Sequence, residues 1–175
     1  MFNQDFNELL STFNDHEVKY LVVGGYAVGF HAQPRATKDL DLFIKPDPDN
    51  GKAVYSALAK FGAPVAGLTP DDFIKPGFFF RMGKAPLMIE ILPDIKGVDF
   101  DSAWEKRVET TVDPDTGLKT FFISRDDLIA AKLAAARPQD LADIQAIRDA
   151  AQSVDPTRAQ KNDSNKPPGT DAVRT

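Results

Sequence analysis

The chain of 175 residues contains no cysteine, one tryptophan and two histidines. The absence of cysteine excludes disulfide bonds and thiolate metal sites. No run of about 18 apolar residues occurs, so the sequence predicts no membrane-spanning helix. The N-terminal segment MFNQDFNELL also lacks the basic-then-apolar pattern of a signal peptide. These absences predict a cytoplasmic protein with no membrane partner.

Excess basic charge is also missing. The net charge is −5, and because residues 151–175 carry four basic and three acidic side chains, the rest of the chain is at about −6. Extensive non-specific binding of nucleic acid depends on Lys and Arg side chains that neutralise phosphates. The charge balance therefore argues against such binding, although it does not exclude a local basic groove.

Patterned apolar residues extend over the first 152 positions, which predicts one domain over residues 1–152. From residue 153 onward the chain is low in apolar residues and rich in Pro, Asn and Asp. Such a composition cannot bury enough apolar surface to fold alone. The sequence therefore predicts a disordered tail over residues 153–175.

The most informative segment is LVVGGYAVGFHAQPRATKDLDLFI, residues 21–44. Its apolar ends predict two strands, and the second strand carries Asp39 and Asp41. Residues two apart on a strand point to the same face, so both carboxylates share a face while their neighbours point into a core. Two like charges repel, and a divalent cation such as Mg²⁺ removes the conflict. The alternative is a pair of exposed carboxylates on an edge strand.

Gly24 and Gly25 follow the first strand and precede a short helix-compatible segment, residues 26–32. Without Cβ atoms, the backbone can turn sharply here and approach a ligand closely. The N–H groups at a helix start can then hold a phosphate. A phosphate-binding turn beside a metal-binding Asp-x-Asp pair favours a nucleoside triphosphate site, and the alternative is a simple tight turn.

The stretch GGYAVGFHAQPRATKDLDLFI resembles the first signature of the nucleotidyltransferase superfamily (DNA polymerase beta-like fold). Its form is typical of AbiEii-like and MenT-like bacterial toxin nucleotidyltransferases, and the similarity covers roughly residues 20–147. The resemblance implies an α/β (α+β) fold, in which a mixed β-sheet has helices packed on one face and C-terminal helices. It also implies Mg²⁺ (or Mn²⁺) as cofactor and a nucleoside triphosphate as substrate. Many relatives have Ser at the second glycine position, whereas Gly25 offers only its backbone.

Glu90 lies inside the otherwise apolar run LMIEIL, which is typical of a central strand. A carboxylate there needs a partner. The resemblance implies that Glu90 is the third acidic residue, more often Asp in the family, acting as general base or metal ligand. The alternatives are an outward-facing residue on a half-exposed strand, or Asp94 as the third carboxylate.

Basic residues crowd the approach to Asp39. Arg35 and Lys38 can pair with triphosphate oxygens, Arg in a bidentate manner. The alternative is a surface salt bridge from either residue to the aspartates. His31 is interpreted as a packing or capping residue rather than a catalyst.

The segment KLAAARPQDLAD, which begins at Lys132, is similar to a second signature of the toxin-type members, K-x-x-A-x-R-x-x-D-x-x-D. Asp140 and Asp143 are three residues apart and share a helix face. The resemblance implies that Lys132 reaches the nucleotide phosphates while Asp140 orients Lys132 or Arg137. The alternative is a closed salt-bridge network between adjoining helices.

Together these features predict an enzyme that moves a nucleoside monophosphate from a nucleoside triphosphate to a hydroxyl of tRNA or protein, using two metal ions. If the chain is the toxin of a toxin–antitoxin system, a cognate antitoxin is a further partner. A degenerate nucleotide-binding or interaction protein is the first alternative, favoured by the Glu90 and Gly25 departures. The second is transfer to a small molecule such as an aminoglycoside, because an acidic cleft suits a cationic acceptor.

Overall fold

The computed structural model describes residues 2–34 and 36–154, which form six α-helices, six strands and one 3-10 helix. The helices are α1 (Gln4–Asp15), α2 (Gly24–His31), α3 (Pro48–Phe61), α4 (Phe100–Glu105), α5 (Arg125–Ala135) and α6 (Pro138–Val154), with the 3-10 helix at Pro70–Ile74. The strands are β1 (Tyr20–Val23), β2 (Asp39–Ile44), β3 (Phe80–Lys84), β4 (Leu87–Leu92), β5 (Val108–Asp113) and β6 (Leu118–Phe122).

All six strands belong to one sheet, in the order β3-β4-β2-β1-β6-β5. β2 pairs in parallel with β4, and β1 pairs in parallel with β6. The other neighbouring pairs are antiparallel. The predicted mixed sheet is therefore confirmed, and β1, β2 and β4 are interior strands rather than edges.

The core lies against β1 and β2. Every residue of β1 is buried, as a central strand requires. Along β2, Leu40 and Leu42 are fully buried while Asp39 and Asp41 are partly exposed. The alternation predicted from the sequence is thus present, and it places both carboxylates on the face opposite the two leucines.

A buried asparagine fixes the far end of this strand pair. The Asn50 side chain accepts a hydrogen bond from the Lys19 N–H at 2.8 Å and donates to the Lys19 and Lys45 carbonyls at 3.1 and 2.9 Å. These bonds tie the start of α3 to the entry of β1 and the exit of β2. They hold the register of the two strands at the end away from the aspartates.

The boundaries of three elements differ from the sequence prediction. α2 begins at Gly24, so both glycines are part of its first turn rather than a separate turn before it. The apolar run GFFFRM predicts a strand from residue 77, whereas β3 begins at Phe80. α6 extends to Val154, two residues into the predicted tail, and the rest of that tail, residues 155–175, lies outside the described residues. No helix in the described part of the chain is long and apolar enough to cross a membrane.

Candidate active site

Three carboxylates lie together on the sheet: Asp39 and Asp41 of β2 and Glu90 of β4, here called the acidic group. Asp41 and Glu90 are direct register partners across the parallel β2–β4 pair. Asp39 shares their face because it lies two residues before Asp41. The sheet topology therefore brings together the three acidic residues that were predicted as catalytic and metal-binding.

Arg81 of β3 is a member of the site that the sequence analysis missed. It lies opposite Glu90 in the antiparallel β3–β4 pair. Its Nε is 3.2 Å from Glu90 Oε1, and its Nη2 is 3.9 Å from Asp39 Oδ2. The one available signal was the hairpin itself, because a register centred on the turn between β3 and β4 pairs Arg81 with Glu90.

The two glycines are positioned by Asp41. Gly24 has a φ of +61°, and a Cβ there would overlap Asp41 Oδ2, so any side chain at this position would displace the Asp41 carboxylate. The N–H of Gly25 donates a hydrogen bond to the Asp41 carboxylate. The start of α2 thus reaches the acidic group through the backbone, as a phosphate-binding or carboxylate-binding turn does.

The surroundings of Asp41 disfavour the charged form of its carboxyl group. Burial raises the pKa of Asp41 to about 7, assisted by a hydrogen bond with Glu90 and by the negative charges of Glu90 and Asp39. The hydrogen bond from Gly25 acts in the opposite direction. In the absence of a cation, the Asp41 carboxyl is therefore protonated in about half of the molecules at neutral pH.

The chemistry of the acidic group fits a divalent cation. It offers three carboxylates on one face, and their mutual repulsion is relieved by partial protonation of Asp41 and by Arg81. Within residues 2–34 and 36–154, no three His, Cys, Asp or Glu side chains already surround a common metal position. Asp39, Asp41 and Glu90 would hold the ion after Arg81 and the proton had left.

The second predicted group forms a buried salt-bridge network between α5 and α6. Lys132 Nζ is 3.1 Å from Asp140 Oδ1 and 2.7 Å from Asp143 Oδ2. Arg137 Nε and Nη2 donate to the two oxygens of Asp140 at 2.8 and 3.2 Å. The side chains of Lys132 and Asp140 are 8% and 1% exposed, whereas that of Arg137 is 74% exposed.

This geometry distinguishes between the alternatives that the sequence left open for Lys132, Arg137 and Asp140. The Lys132 ammonium is enclosed by two carboxylates, in agreement with the closed-network alternative. Asp140 contacts both Lys132 and Arg137, and those contacts hold the pKa of Asp140 down at about 2. The negative charge of Asp41 helps to raise the pKa of Arg137, so Arg137 lies within electrostatic range of the acidic group.

Two other predicted residues, Lys38 and His31, lie near the same end of the sheet. Lys38 is exposed, immediately before β2. Arg35 lies outside the described residues. The Nε2–H of His31 donates to the Ile123 carbonyl at 2.7 Å, and burial lowers the pKa of His31. His31 therefore ties the end of α2 to the end of β6, in the packing role that was predicted.

Beside the acidic group, between α2 and the β5–β6 hairpin, lies an open pocket of about 580 Å³. Gly25 of α2 is part of its wall. Its other walls are formed mainly by aromatic rings and threonines, including Phe30 and Phe122. The sequence alone gives no sign of this pocket, because its walls come from Phe2, from α2 and the residues after it, and from the distant β5–β6 hairpin.

Two solved structures have a similar fold. A crystal structure of ANT(2")-Ia in complex with adenylyl-2"-tobramycin superposes with a TM-score of 0.52 and 13% sequence identity, covering 89% of this chain and 90% of that one. A solution structure of the antibiotic-resistance factor ANT(2'')-Ia gives a TM-score of 0.51 and 12% identity, covering 89% and 85%. At these identities the similarity shows the fold alone.

A comparison with curated proteins found no match. A family model described as "Nucleotidyltransferase of unknown function (DUF6036)" matches residues 1–155, which include the acidic group, the glycine turn and the α5–α6 network. The chain belongs to this nucleotidyltransferase family.

Proposed function

We propose that the protein is a metal-dependent enzyme that moves a nucleoside monophosphate from a nucleoside triphosphate to an acceptor hydroxyl. The observation that carries the proposal is the acidic group, three carboxylates crowded on one face beside the N–H of Gly25. Such crowding lowers the stability of the fold unless a cation relieves it. Membership of a nucleotidyltransferase family supports the same reading.

Each residue of the site has a role in this reaction. Asp39, Asp41 and Glu90 hold Mg²⁺ or Mn²⁺, which neutralises charge on the triphosphate and on the transition state. Glu90 accepts the proton of the acceptor hydroxyl. The acceptor oxygen then bonds to the α-phosphorus, and the bond from the α-phosphorus to pyrophosphate breaks. When the nucleotide binds, the half-exposed Arg81 side chain breaks its contacts with the carboxylates and donates hydrogen bonds to phosphate oxygens.

The start of α2 and nearby cations complete the phosphate site. The backbone of Gly24 and Gly25 faces the phosphates, as glycines at a helix start can. Lys38 and Arg137 are exposed cations assigned to the phosphates, and Arg35 is assigned the same role from the sequence alone. Lys132 acts indirectly, because its ammonium is already bound by two carboxylates.

The resemblance to toxin-type nucleotidyltransferases favours tRNA or a protein as the acceptor, with a cognate antitoxin as a further partner. A specific observation supports a second candidate, a small cationic acceptor. The site has three carboxylates against Arg81, and the whole chain is at −5. One protein of similar fold was solved with adenylyl-2"-tobramycin, a nucleotidylated aminoglycoside.

The test is a transfer assay. The purified protein is incubated with each α-labelled nucleoside triphosphate, Mg²⁺ or Mn²⁺, and either total cell extract or a panel of aminoglycosides. We expect label on one acceptor class, with release of pyrophosphate. Label on tRNA or protein identifies the first acceptor class, and label on an aminoglycoside identifies the second.

Two double variants control this assay. Asp39→Ala/Asp41→Ala removes two carboxylates of the acidic group and should abolish transfer. Asp49→Ala/Asp126→Ala removes two highly exposed carboxylates elsewhere and should leave transfer intact. If folded wild-type protein neither transfers label nor releases pyrophosphate with any nucleotide, the enzyme proposal fails and a nucleotide-binding or interaction protein takes its place.

A further inference from the structure

The pocket beside the acidic group differs from it in charge. Among the described residues that line the pocket, none carries a charged side chain. Aromatic rings form much of the wall, and the polar groups include the hydroxyls of Thr37, Thr110 and Thr111. Such a lining disfavours the binding of a triphosphate or a polyamine. A charged group there would lose its hydration without gaining an ionic partner.

The rings in the pocket are arranged as a stack. Phe30 and Phe122 lie parallel, with centroids 4.2 Å apart and an interplanar angle of 7°. Phe2 lies within 9° of parallel to Phe122, at 6.2 Å. The Phe30 side chain is 39% exposed, although it is large and apolar. A flat aromatic ligand can therefore extend this stack at Phe30.

Gly25 connects the pocket to the acidic group. Its backbone lies in the pocket wall, and its N–H donates to Asp41. Thr37, also in the wall, lies two residues before Asp39. A ligand whose apolar end fills the pocket therefore has its other end beside the carboxylates.

We propose that this pocket binds the base and sugar of the nucleoside triphosphate, with the base against Phe30 and the triphosphate directed past Gly25 to the acidic group. This inference rests on the proposed function and deepens it. A volume of about 580 Å³ is in the usual range for small-ligand sites and accommodates a nucleoside. The threonine hydroxyls both donate and accept hydrogen bonds, as sugar hydroxyls and base edges require.

In this arrangement the nucleotide and the acceptor bind on different sides of the acidic group. Among the described residues of the pocket wall a cationic acceptor meets no carboxylate, whereas it meets Asp39 and Glu90 on the sheet. The base is the flat, uncharged part of the donor, and stacking on aromatic side chains tolerates any base. The nucleotide therefore enters from the β5–β6 side of the acidic group and the acceptor from the β3–β4 side.

The test compares a nucleotide with its phosphates alone. Isothermal titration calorimetry measures the affinity of Mg²⁺ complexes of a non-transferable α,β-methylene analogue of ATP and of inorganic tripolyphosphate. Phe30→Leu keeps apolar volume but removes the ring, so the analogue should bind roughly 5- to 100-fold more weakly. Tripolyphosphate affinity should stay within twofold, and Phe30→Trp should restore analogue binding.

The matched control is Phe79→Ala, which removes a ring that is 50% exposed and does not line the pocket. It should bind both ligands as the wild type does. If Phe30→Leu weakens both ligands equally, or weakens neither while the wild type transfers label, the pocket assignment is wrong and the proposed function stands. If the wild type neither binds the analogue nor transfers label, both proposals fail.

Discussion

Two clusters of charged residues, built from the same kinds of side chain, lie in different electrostatic states. The α5–α6 network pairs Lys132 and Arg137 with two aspartates, and the ammonium is enclosed. The acidic group has three carboxylates against one arginine, and Asp41 is partly protonated at neutral pH because burial raises its pKa to about 7. The first cluster is balanced and needs no ligand, whereas the second is relieved by adding a cation.

This contrast distinguishes charged side chains that are paired within the fold from charged side chains that are available to a ligand. A buried pair contributes to specificity of packing, and removing one partner leaves an uncompensated charge. Crowded carboxylates that face an open site cost stability in the free protein, which is typical of functional sites. The three predictions below test the contrast from the largest expected effect to the smallest.

The largest effect is expected at the centre of the balanced network. Lys132→Met removes the ammonium between Asp140 and Asp143 and should lower the free energy of unfolding by about 3–5 kcal/mol, measured by urea denaturation. Lys52→Met is the control, since Lys52 is exposed and should change stability by less than about 0.5 kcal/mol. A small stability loss together with a large loss of nucleotide affinity would instead make Lys132 a nucleotide contact.

The second effect is a pH dependence with a defined sign. The folded-state pKa of Asp41 is about 7, above the ordinary value of 3.8, so between these values the folded protein binds more protons than the unfolded chain. In EDTA, this carboxyl's contribution is therefore complete below about pH 4 and is lost as the pH rises through 7, by up to about 4 kcal/mol. Asp41→Asn, which keeps the shape, should flatten the stability profile between pH 5 and 8.

The balanced network has the opposite sign and serves as the internal comparison. The pKa of Asp140 is lowered to about 2, chiefly by its hydrogen bond from Arg137. Its contribution is therefore present above about pH 4 and is lost as the pH falls toward 2. A wild-type profile that is flat from pH 5 to 8 in EDTA would contradict the raised pKa of Asp41.

The smallest effect is expected at Arg81, the cation that already contacts the acidic group. Arg81→Ala removes a competitor for Glu90 and Asp39, so Mn²⁺ should bind about three- to tenfold more tightly, measured by electron paramagnetic resonance without nucleotide. Lys84→Ala removes an exposed positive charge from the same strand and should leave the Mn²⁺ affinity unchanged. Weaker Mn²⁺ binding in Arg81→Ala would show that Arg81 organises the carboxylates rather than competing with the metal.

Much of the candidate site can be predicted from the sequence, because it depends on interactions between residues that are close together in the chain. The side-chain alternation of a strand places Asp39 and Asp41 on one face. The segment SRDD predicts Ser124 as a helix N-cap, and the Ser124 hydroxyl accepts a hydrogen bond from the Asp127 N–H at 3.2 Å. The paired glycines mark a close approach of backbone, although their exact partner, Asp41, was not evident from spacing.

Partners across strands were harder to predict. Arg81 meets Glu90 only because the β3–β4 hairpin has one particular register, and a shift of one residue would turn Arg81 to the other face. The pocket was missed for a similar reason, since Phe2, Phe30 and Phe122 are brought together by the order of the sheet. Neither contact leaves a periodic signal in the chain.

By itself, the sequence determined the strand that carries Asp39 and Asp41, the glycines that allow close approach, and the helices that carry the second set of charges. These features follow from backbone conformation and residue period, which act over a few neighbouring residues. Only the tertiary structure decided that Lys132 is enclosed and that the pKa of Asp41 is raised. Burial and proximity set the strength of a charge interaction, and both arise when distant elements pack around one core.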